Sequence, residues 1–123
     1  SIYDAKLPEQ AGPAKVARFE VETTSIDQYL ADTDIAPTFV KIDAENADYD
    51  ILTGMEETLS RHKPVMSVEV GDMDIAGVPL SKDIVQFLAD RGYEPFEHQD
   101  GSIVAHRPQE RYKHGDLFFL PQN

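Results

Sequence analysis

Acidic side chains crowd into one short stretch of the sequence, FVKIDAENADYDILTG, at residues 39–54. Its polar members are Asp43, Glu45, Asn46, Asp48 and Asp50. They come directly after a β-rich run and directly before a helical pattern. Carboxylates in such a place either begin the next helix or line an active site, because a carboxylate can orient a hydroxyl nucleophile or accept its proton. The elements around the stretch decide between these two uses.

Asp43 and Glu45 are the first and second candidates for a catalytic or substrate-orienting carboxylate. Side chains alternate along a strand, so Lys41 and Asp43 share one face of the run that ends here. Open α/β sheets bind ligands just outside the carboxyl ends of their parallel strands, which is where both acids fall. The competing interpretation is an ion pair between Lys41 and Asp43, with Glu45 solvated in a loop.

Glu69 is the third candidate for this rim. It lies near the carboxyl end of the next predicted strand, between Val68 and Val70, and a charge inside a β-branched run needs a partner or water. We expect it to share a crevice with Asp43. Carboxylates at one rim could instead hold a hard divalent cation through oxygen ligands, but no second signal in the sequence supports this, so we predict no metal.

We expect the other polar and aromatic candidates to have structural rather than catalytic roles. Asp48 and Asp50 suit the first turn of a helix, where the dipole favours negative charge, and Asn46 is its predicted cap. No two histidines are spaced four apart, so surface or hairpin positions are predicted rather than metal ligation. These histidines are His62, His98, His106 and His114. Tyr93 and Phe96 could stack on a sugar, but packing of a hairpin against the sheet is the favoured use.

Hydrophobic periodicity predicts the elements that position the acidic stretch. Residues 16–21 alternate in polarity, which is typical of an edge strand. Ser25 and Gln28 form a capping pair that opens a short helix. Residues 38–43 are a β-rich run suited to the middle of a sheet.

The clearest helix follows the acidic stretch and separates two predicted strands. Its buried stripe repeats at steps of three and four residues and consists of Ile51, Leu52, Met55 and Leu59. The helix must stop before Pro64, and residues 65–70 then form a second strand. Because a full helix connects them, we predict that the two strands are parallel and form a βαβ unit.

The remaining elements complete an α/β sheet. Ser81 is the predicted cap of a third helix, which Gly92 ends. Residues 93–107 are predicted to form a hairpin that turns at Asp100 and Gly101, and residues 116–121 form the last strand. The fold class is therefore α/β: a parallel βαβ unit and a C-terminal antiparallel hairpin, with helices packed on the sheet. An open face or edge of this sheet should be covered by something else.

Composition sets the class of protein. A chain of 123 residues is one domain. We predict an extended leading segment over residues 1–15 and the domain over residues 16–123. A formal net charge of −12 repels phosphate backbones and anionic membranes, so neither nucleic acid nor a membrane is an expected partner. The sequence has no cysteine, no signal peptide and no apolar run of membrane-spanning length, and we expect a cytoplasmic location.

The order and spacing of several segments resemble the C-terminal half of the FkbM-type methyltransferase family. The segments are TTSIDQYL, FVKIDAENADYDILTGMEETL, PVMSVEV, GYEPF and DLFFLP. The similarity spans residues 16–120. It implies a partial Rossmann-like fold and the use of S-adenosylmethionine to methylate hydroxyl groups on sugars, polysaccharides or natural products. Asn46 departs from the family pattern, which has glycine there.

A second departure concerns the cofactor. Nucleotide-binding α/β folds place a Gly-rich turn after their first strand, and this sequence has none. We therefore expect the cofactor-binding half to lie outside this sequence and assign no cofactor-binding residue within it. The expected ligand of the rim is a small-molecule or glycan acceptor. The alternative function is a non-catalytic protein-interaction module, derived from a methyltransferase half, whose open sheet docks on a second copy or on the missing N-terminal half.

Overall fold

A computed structural model describes residues 16–123, so the predicted leading segment lies outside the described residues. In this part of the chain the helices are α1 (Ile26–Leu30), α2 (Asp48–Thr53), α3 (Glu56–His62) and α4 (Ser81–Ala89). The strands are β1 (Phe39–Ile42), β2 (Val65–Val70), β3 (Tyr93–Gln99), β4 (Ser102–Ala105) and β5 (Gly115–Pro121). No helix among these residues is long and apolar enough to cross a membrane.

The strands form one sheet in the order β1-β2-β5-β3-β4. The pair β1 and β2 is parallel, with Phe39 opposite Val65 and Ile42 opposite Val68. The other pairs are antiparallel. The predicted α/β class is confirmed, and the arrangement is consistent with a partial Rossmann-like sheet. The composition of β1 suits the middle of a sheet, but in the sheet formed by residues 16–123 β1 is an edge strand.

The helices pack on one face of the sheet and form the core there. Leu52, Met55 and Leu59 are almost completely buried, as the predicted stripe requires. They belong to one apolar cluster with Met66 and Phe119, which lie opposite each other on β2 and β5. The cluster also takes in the buried face of α4, made of Ile84, Val85, Phe87 and Leu88.

The other face of the sheet carries a second row of side chains. Ser67 pairs with Phe118, and Phe118 pairs with Phe96, so these three lie in line across β2, β5 and β3. Their chain neighbours point to the helices, so the row points away from them. Lys41 extends the row onto β1. Phe96 and Phe118 remain only half-buried.

The predicted long helix is two helices, α2 and α3, with a break at Gly54. The Gly54 carbonyl accepts a hydrogen bond from the Asp27 amide at 3.0 Å. A Cβ on Gly54 would lie only 3.0 Å from the Ser25 Cβ. The Asp27 carboxylate in turn accepts from the amides of Glu57 and Thr58, both at 2.9 Å. Thus α1 docks into the break and supplies the cap of α3.

The strand predicted over residues 16–21 is wrong. Residues 16–25 contain no regular secondary structure. Val16, Phe19 and Val21 are 66%, 82% and 65% exposed. Alternation makes a segment compatible with a strand, but a strand also needs a neighbour for its backbone hydrogen bonds, and no strand of the described residues pairs with this one.

Of the predicted helix caps, Ser25 is confirmed and Asn46 is wrong. Ser25 is a cap as predicted, because its hydroxyl accepts from the Gln28 amide at 3.1 Å. Asn46 is not the cap of α2, which is Ala47, without a side-chain hydrogen bond. The backbone at Asn46 is left-handed, with φ 75°, and the chain has not yet entered the helix there.

Ser81 is also not a cap. It is the first residue of α4, and Leu80 holds the cap position. The Ser81 hydroxyl instead accepts from the Gly71 amide at 2.8 Å, so it ties the start of α4 to the end of β2. The hairpin turn is confirmed: Asp100 and Gly101 both have positive φ, the geometry of the favoured two-residue turn.

Candidate functional site

Three carboxylates meet at the carboxyl edge of the parallel pair. Asp43 and Glu45 follow β1, and Glu69 is the second-last residue of β2. Because β1 and β2 are parallel, these ends lie side by side. One oxygen from each carboxylate lies within 4.8 Å of the others. The structure therefore brings together the three residues that the sequence singles out, and their chemical role stays a prediction.

Asp43 faces its acidic neighbour rather than the lysine on its own strand. Among the ion pairs of residues 16–123, none joins Lys41 to Asp43. Asp43 instead lies beside Glu69, since one oxygen of each carboxylate is within 4.8 Å of the other. The Asp43 carboxylate favours the protonated form of Glu69 and thereby raises the pKa of Glu69.

The Glu69 carboxyl is influenced by two neighbouring groups and by its burial. The hydrogen bond with Asp43 and partial burial raise the pKa of Glu69, while a contact with His114 opposes this rise. The Glu69 side chain is 19% exposed and that of His114 is 80% exposed. The contact joins His114 Nε2 to Glu69 Oε1. Glu69 is therefore held from two sides, by a carboxyl and by an imidazole.

A pocket of about 360 Å³ is lined by two of the three acids, Glu45 and Glu69, and Asp43 lies next to Glu69 outside the lining. Glu45 and Glu69 lie at its acidic side, and Tyr49, Met73 and Ile84 provide apolar surface. Its volume is at the lower end of the range for small-molecule sites.

Asp72 lines the pocket in a structural role that the sequence does not reveal. Its side chain is 2% exposed. It accepts hydrogen bonds from the amides of Ser81 at 2.8 Å and Tyr112 at 2.7 Å, and Arg111 lies 3.7 Å away. Asp72 therefore joins the start of α4 to the segment before β5, and both form walls of the pocket.

The histidines occupy different environments. His106 lies at the base of the hairpin, where its side chain is 3% exposed. Its ring nitrogens contact Glu97 at 3.2 Å and the Tyr112 hydroxyl at 2.9 Å. His114 lies at the acidic rim. Sequence reasoning missed His114 because its partner Glu69 is far away along the chain, and no spacing rule connects them.

Tyr93 is a packing residue and not a sugar-stacking surface. It is 4% exposed, and its hydroxyl donates to the Pro64 carbonyl at 2.7 Å. Burial raises the pKa of Tyr93 to about 12. Phe96 is on the half-buried row of the other sheet face, away from the pocket.

A comparison with protein families identifies the class. The family described as Methyltransferase FkbM domain matches residues 5–95. The chain belongs to this methyltransferase family. The matched range includes the whole βαβ unit and all three rim carboxylates. Searches of curated proteins and of solved structures found no significant match.

The backbone at the rim of this methyltransferase domain is unusual. Glu45 and Asn46 both have left-handed conformations, with φ 47° and 75°. Glycine adopts this region without cost, and asparagine tolerates it better than most residues. The departure from the family glycine at residue 46 is therefore compatible with the turn that carries Glu45.

Proposed function

We propose that this domain takes part in S-adenosylmethionine-dependent methylation of a hydroxyl group on a sugar, a polysaccharide or a natural product. One observation carries the proposal: in a chain of the methyltransferase family, Asp43, Glu45 and Glu69 converge beside a pocket at the carboxyl edge of the sheet. That edge is where open α/β sheets bind their ligands.

In this proposal Asp43 orients the acceptor hydroxyl and accepts its proton, because its carboxylate is the more exposed member of the pair with Glu69. Glu45 and Glu69 shape the crevice around the acceptor. The reaction would form an oxygen–carbon bond to the methyl group and break two bonds, the hydroxyl O–H bond and the bond between the methyl carbon and the sulfonium sulfur. It would release S-adenosylhomocysteine and one proton, which passes from the rim to solvent.

S-adenosylmethionine would supply the methyl group from a positively charged sulfonium. The acidic rim fits that end of the cofactor, because carboxylates attract a cation. The described residues carry no Gly-rich turn of the kind that holds an adenosine and its ribose. The proposal therefore includes residues outside 16–123 that bind the adenosine end.

Calorimetry tests the proposal with two proteins: this chain, and a version that also contains the residues encoded upstream of Ser1. We expect the longer protein to bind S-adenosylmethionine and this chain alone to bind weakly or not at all. Transfer of a radiolabelled methyl group from S-adenosylmethionine to a panel of neutral glycans then tests the chemistry. A longer protein that binds no S-adenosylmethionine would overturn the proposal.

A second candidate function is a non-catalytic interaction module. It is favoured by the row of half-buried side chains on the sheet face away from α2, α3 and α4, which includes Phe96 and Phe118. An open apolar face of this kind is typical of an interaction surface. Light scattering after size exclusion tests it: a stable symmetric dimer that Phe118→Gln converts to monomer supports the module, whereas a wild-type monomer contradicts self-association.

A further inference from the structure

His114 reaches the acidic rim through the pairing of β5 with β2. In this antiparallel pair Val70 lies opposite Gly115 and Glu69 lies opposite Asp116. His114 directly precedes Gly115, so the register places it at the carboxyl edge of β2. From there its Nε2 contacts Glu69 Oε1.

The backbone, and not only the side chain, fixes His114 at this place. Gly71 follows β2, and a Cβ added to it would lie 3.2 Å from the His114 Cα and 3.5 Å from its backbone nitrogen. The Asp72 amide also donates to the Tyr112 carbonyl at 2.9 Å. The segment that carries His114 is thus packed directly against the chain that leaves β2.

Several charged groups face the contact between His114 and Glu69. They are Asp43 and Glu45 after β1, Asp116 on β5, Arg111 and Lys113 before β5, and Asp72 after β2. Asp72 and Arg111 lie close together, and Arg111 also pairs with Asp74 at 2.5 Å. Among the ion pairs of residues 16–123, the contact with His114 is the one that involves Glu69.

We propose that His114 is a positioning residue of this acceptor site: its imidazole holds the Glu69 carboxyl beside Asp43 and thereby controls the protonation of Glu69. The inference rests on the proposed function, in which Asp43 contacts the acceptor hydroxyl. His114 also lines the pocket, and the positioning role that we propose for it acts through Glu69.

The two neighbours of Glu69 act in opposite directions. The Asp43 carboxylate favours the protonated form of Glu69, which can donate a hydrogen bond to it, and an imidazolium at His114 favours the ionised form. Removal of His114 therefore leaves Glu69 with a tighter hold on its proton. Removal of the Asp43 charge has the opposite effect.

Carbon-13 NMR titration of the Glu69 carboxyl measures this balance in the whole chain. With His114→Gln we expect Glu69 to ionise at higher pH than in the wild type, and with Asp43→Asn at lower pH. His62→Gln is the matched control, because His62 ends α3 at the opposite edge of the sheet and should leave the titration unchanged. A Glu69 titration that His114→Gln does not move would overturn the inference.

Gly71→Ala is a second variant that keeps the imidazole but displaces its backbone. We expect it to move the Glu69 titration in the same direction as His114→Gln, because the added methyl group pushes the His114 segment away. Amide spectra of Tyr112 and Leu117 report whether the fold around the site is retained. A Gly71→Ala protein with wild-type titration would contradict the proposed positioning.

The pH profile of methyl transfer separates positioning from a purely structural role. With His114→Gln the acid limb should move to higher pH, with kcat/KM about tenfold lower on that limb and little changed at higher pH. A loss that is equal at every pH would contradict the inference. Failure to bind S-adenosylmethionine overturns the proposed function but leaves the Glu69 titration to be measured, so the two failures are distinguishable.

Discussion

Asp43 and Glu69 are both carboxyls at one sheet edge, yet their surroundings differ. Asp43 is exposed, whereas the Glu69 side chain is mostly covered and touches His114. Exposure leaves Asp43, which lies beside the pocket residues Glu45 and Glu69, accessible to an acceptor at the rim, and cover favours the protonated form of Glu69. Environment rather than residue type therefore assigns the two roles that we propose.

Replacement of Asp43 by asparagine tests this assignment. Asp43→Asn keeps the shape of the side chain and removes the proton acceptor, so kcat/KM for methyl transfer should fall by about a hundredfold. Asp50→Asn, an exposed substitution on α2, is the control and should retain activity. A radiolabel transfer assay measures both, and an Asp43→Asn enzyme within a few-fold of wild type would contradict the role.

Tyr93 is a second residue with a testable role, because its hydroxyl should contribute to the free energy of unfolding. Tyr93→Phe leaves the Pro64 carbonyl without its buried donor, so we expect a loss of about 1 to 2 kcal/mol in the free energy of unfolding. Urea denaturation measures it, and the exposed Tyr29, changed to Phe, is the control. A Tyr93→Phe protein as stable as that control would show that the hydrogen bond contributes nothing.

The contribution of Tyr93 to the free energy of unfolding should depend on alkaline pH. Its pKa is 10.0 in a model compound and about 12 in the folded protein. The folded state binds this proton more tightly, so the stabilisation is complete below pH 10 and is lost as the pH rises through about 12. The stability difference between wild type and Tyr93→Phe should therefore shrink across this interval.

At the scale of elements, the sequence predicts the βαβ unit because its signals are local. The β-branched runs, the helical stripe and Pro64 each act within a few residues, and the parallel pairing of β1 with β2 follows from the length of the connection. Asp43 and Glu69 could be placed at one edge for that reason. The contact of Glu69 with His114 could not, since it depends on where β5 inserts.

The break between α2 and α3 shows what local signals miss. A single glycine such as Gly54 is tolerated inside a helix, so the pattern there predicts continuity. The break is made by α1, whose Asp27 binds both the Gly54 carbonyl and the first amides of α3. Residues 16–21 are the opposite case: their local pattern is typical of a strand, but no strand of the described residues pairs with them.

Asp27 should therefore contribute more to stability than its position on a five-residue helix suggests. Asp27→Ala removes the acceptor of two α3 amides and of the Thr58 hydroxyl, and should cost about 1 to 2 kcal/mol. The exposed Asp32, changed to Ala, is the control. Equal stability of the two variants in urea denaturation would contradict this role.

The contribution of Asp27 should also depend on acidic pH. Burial by itself raises the pKa of Asp27, but the hydrogen bonds from Thr58 and Glu57 outweigh it and hold the pKa below the ordinary value. The folded state thus favours the ionised form. Its stabilisation is complete above the ordinary pKa of 3.8 and is lost as the pH falls through the lower folded value, so wild type and Asp27→Ala should converge there.

The whole molecule carries a net charge of −12, which opposes its own compaction. At neutral pH the unfolding temperature should rise by a few degrees when NaCl increases from about 0.1 M to about 1 M, because the screening length falls from about 10 Å to about 3 Å. Near pH 4.5, close to the isoelectric point, the rise should vanish. Calorimetric scans at the two pH values measure the unfolding temperature. An equal rise with NaCl at both pH values would contradict the explanation by charge repulsion.

The position of β5 in the sheet affects how the protein folds during its synthesis. Among the five strands of residues 16–123 it comes last along the chain, yet it lies between β2 and β3. While a ribosome is still synthesising the earlier residues, β2 lacks a neighbour on that side and the hairpin has nothing to join. The sheet can therefore be completed only after residues 115–121 emerge from the exit tunnel. Until then the nascent chain exposes one unpaired edge on β2 and one on β3, and exposed strand edges of this kind are typical binding sites for chaperones.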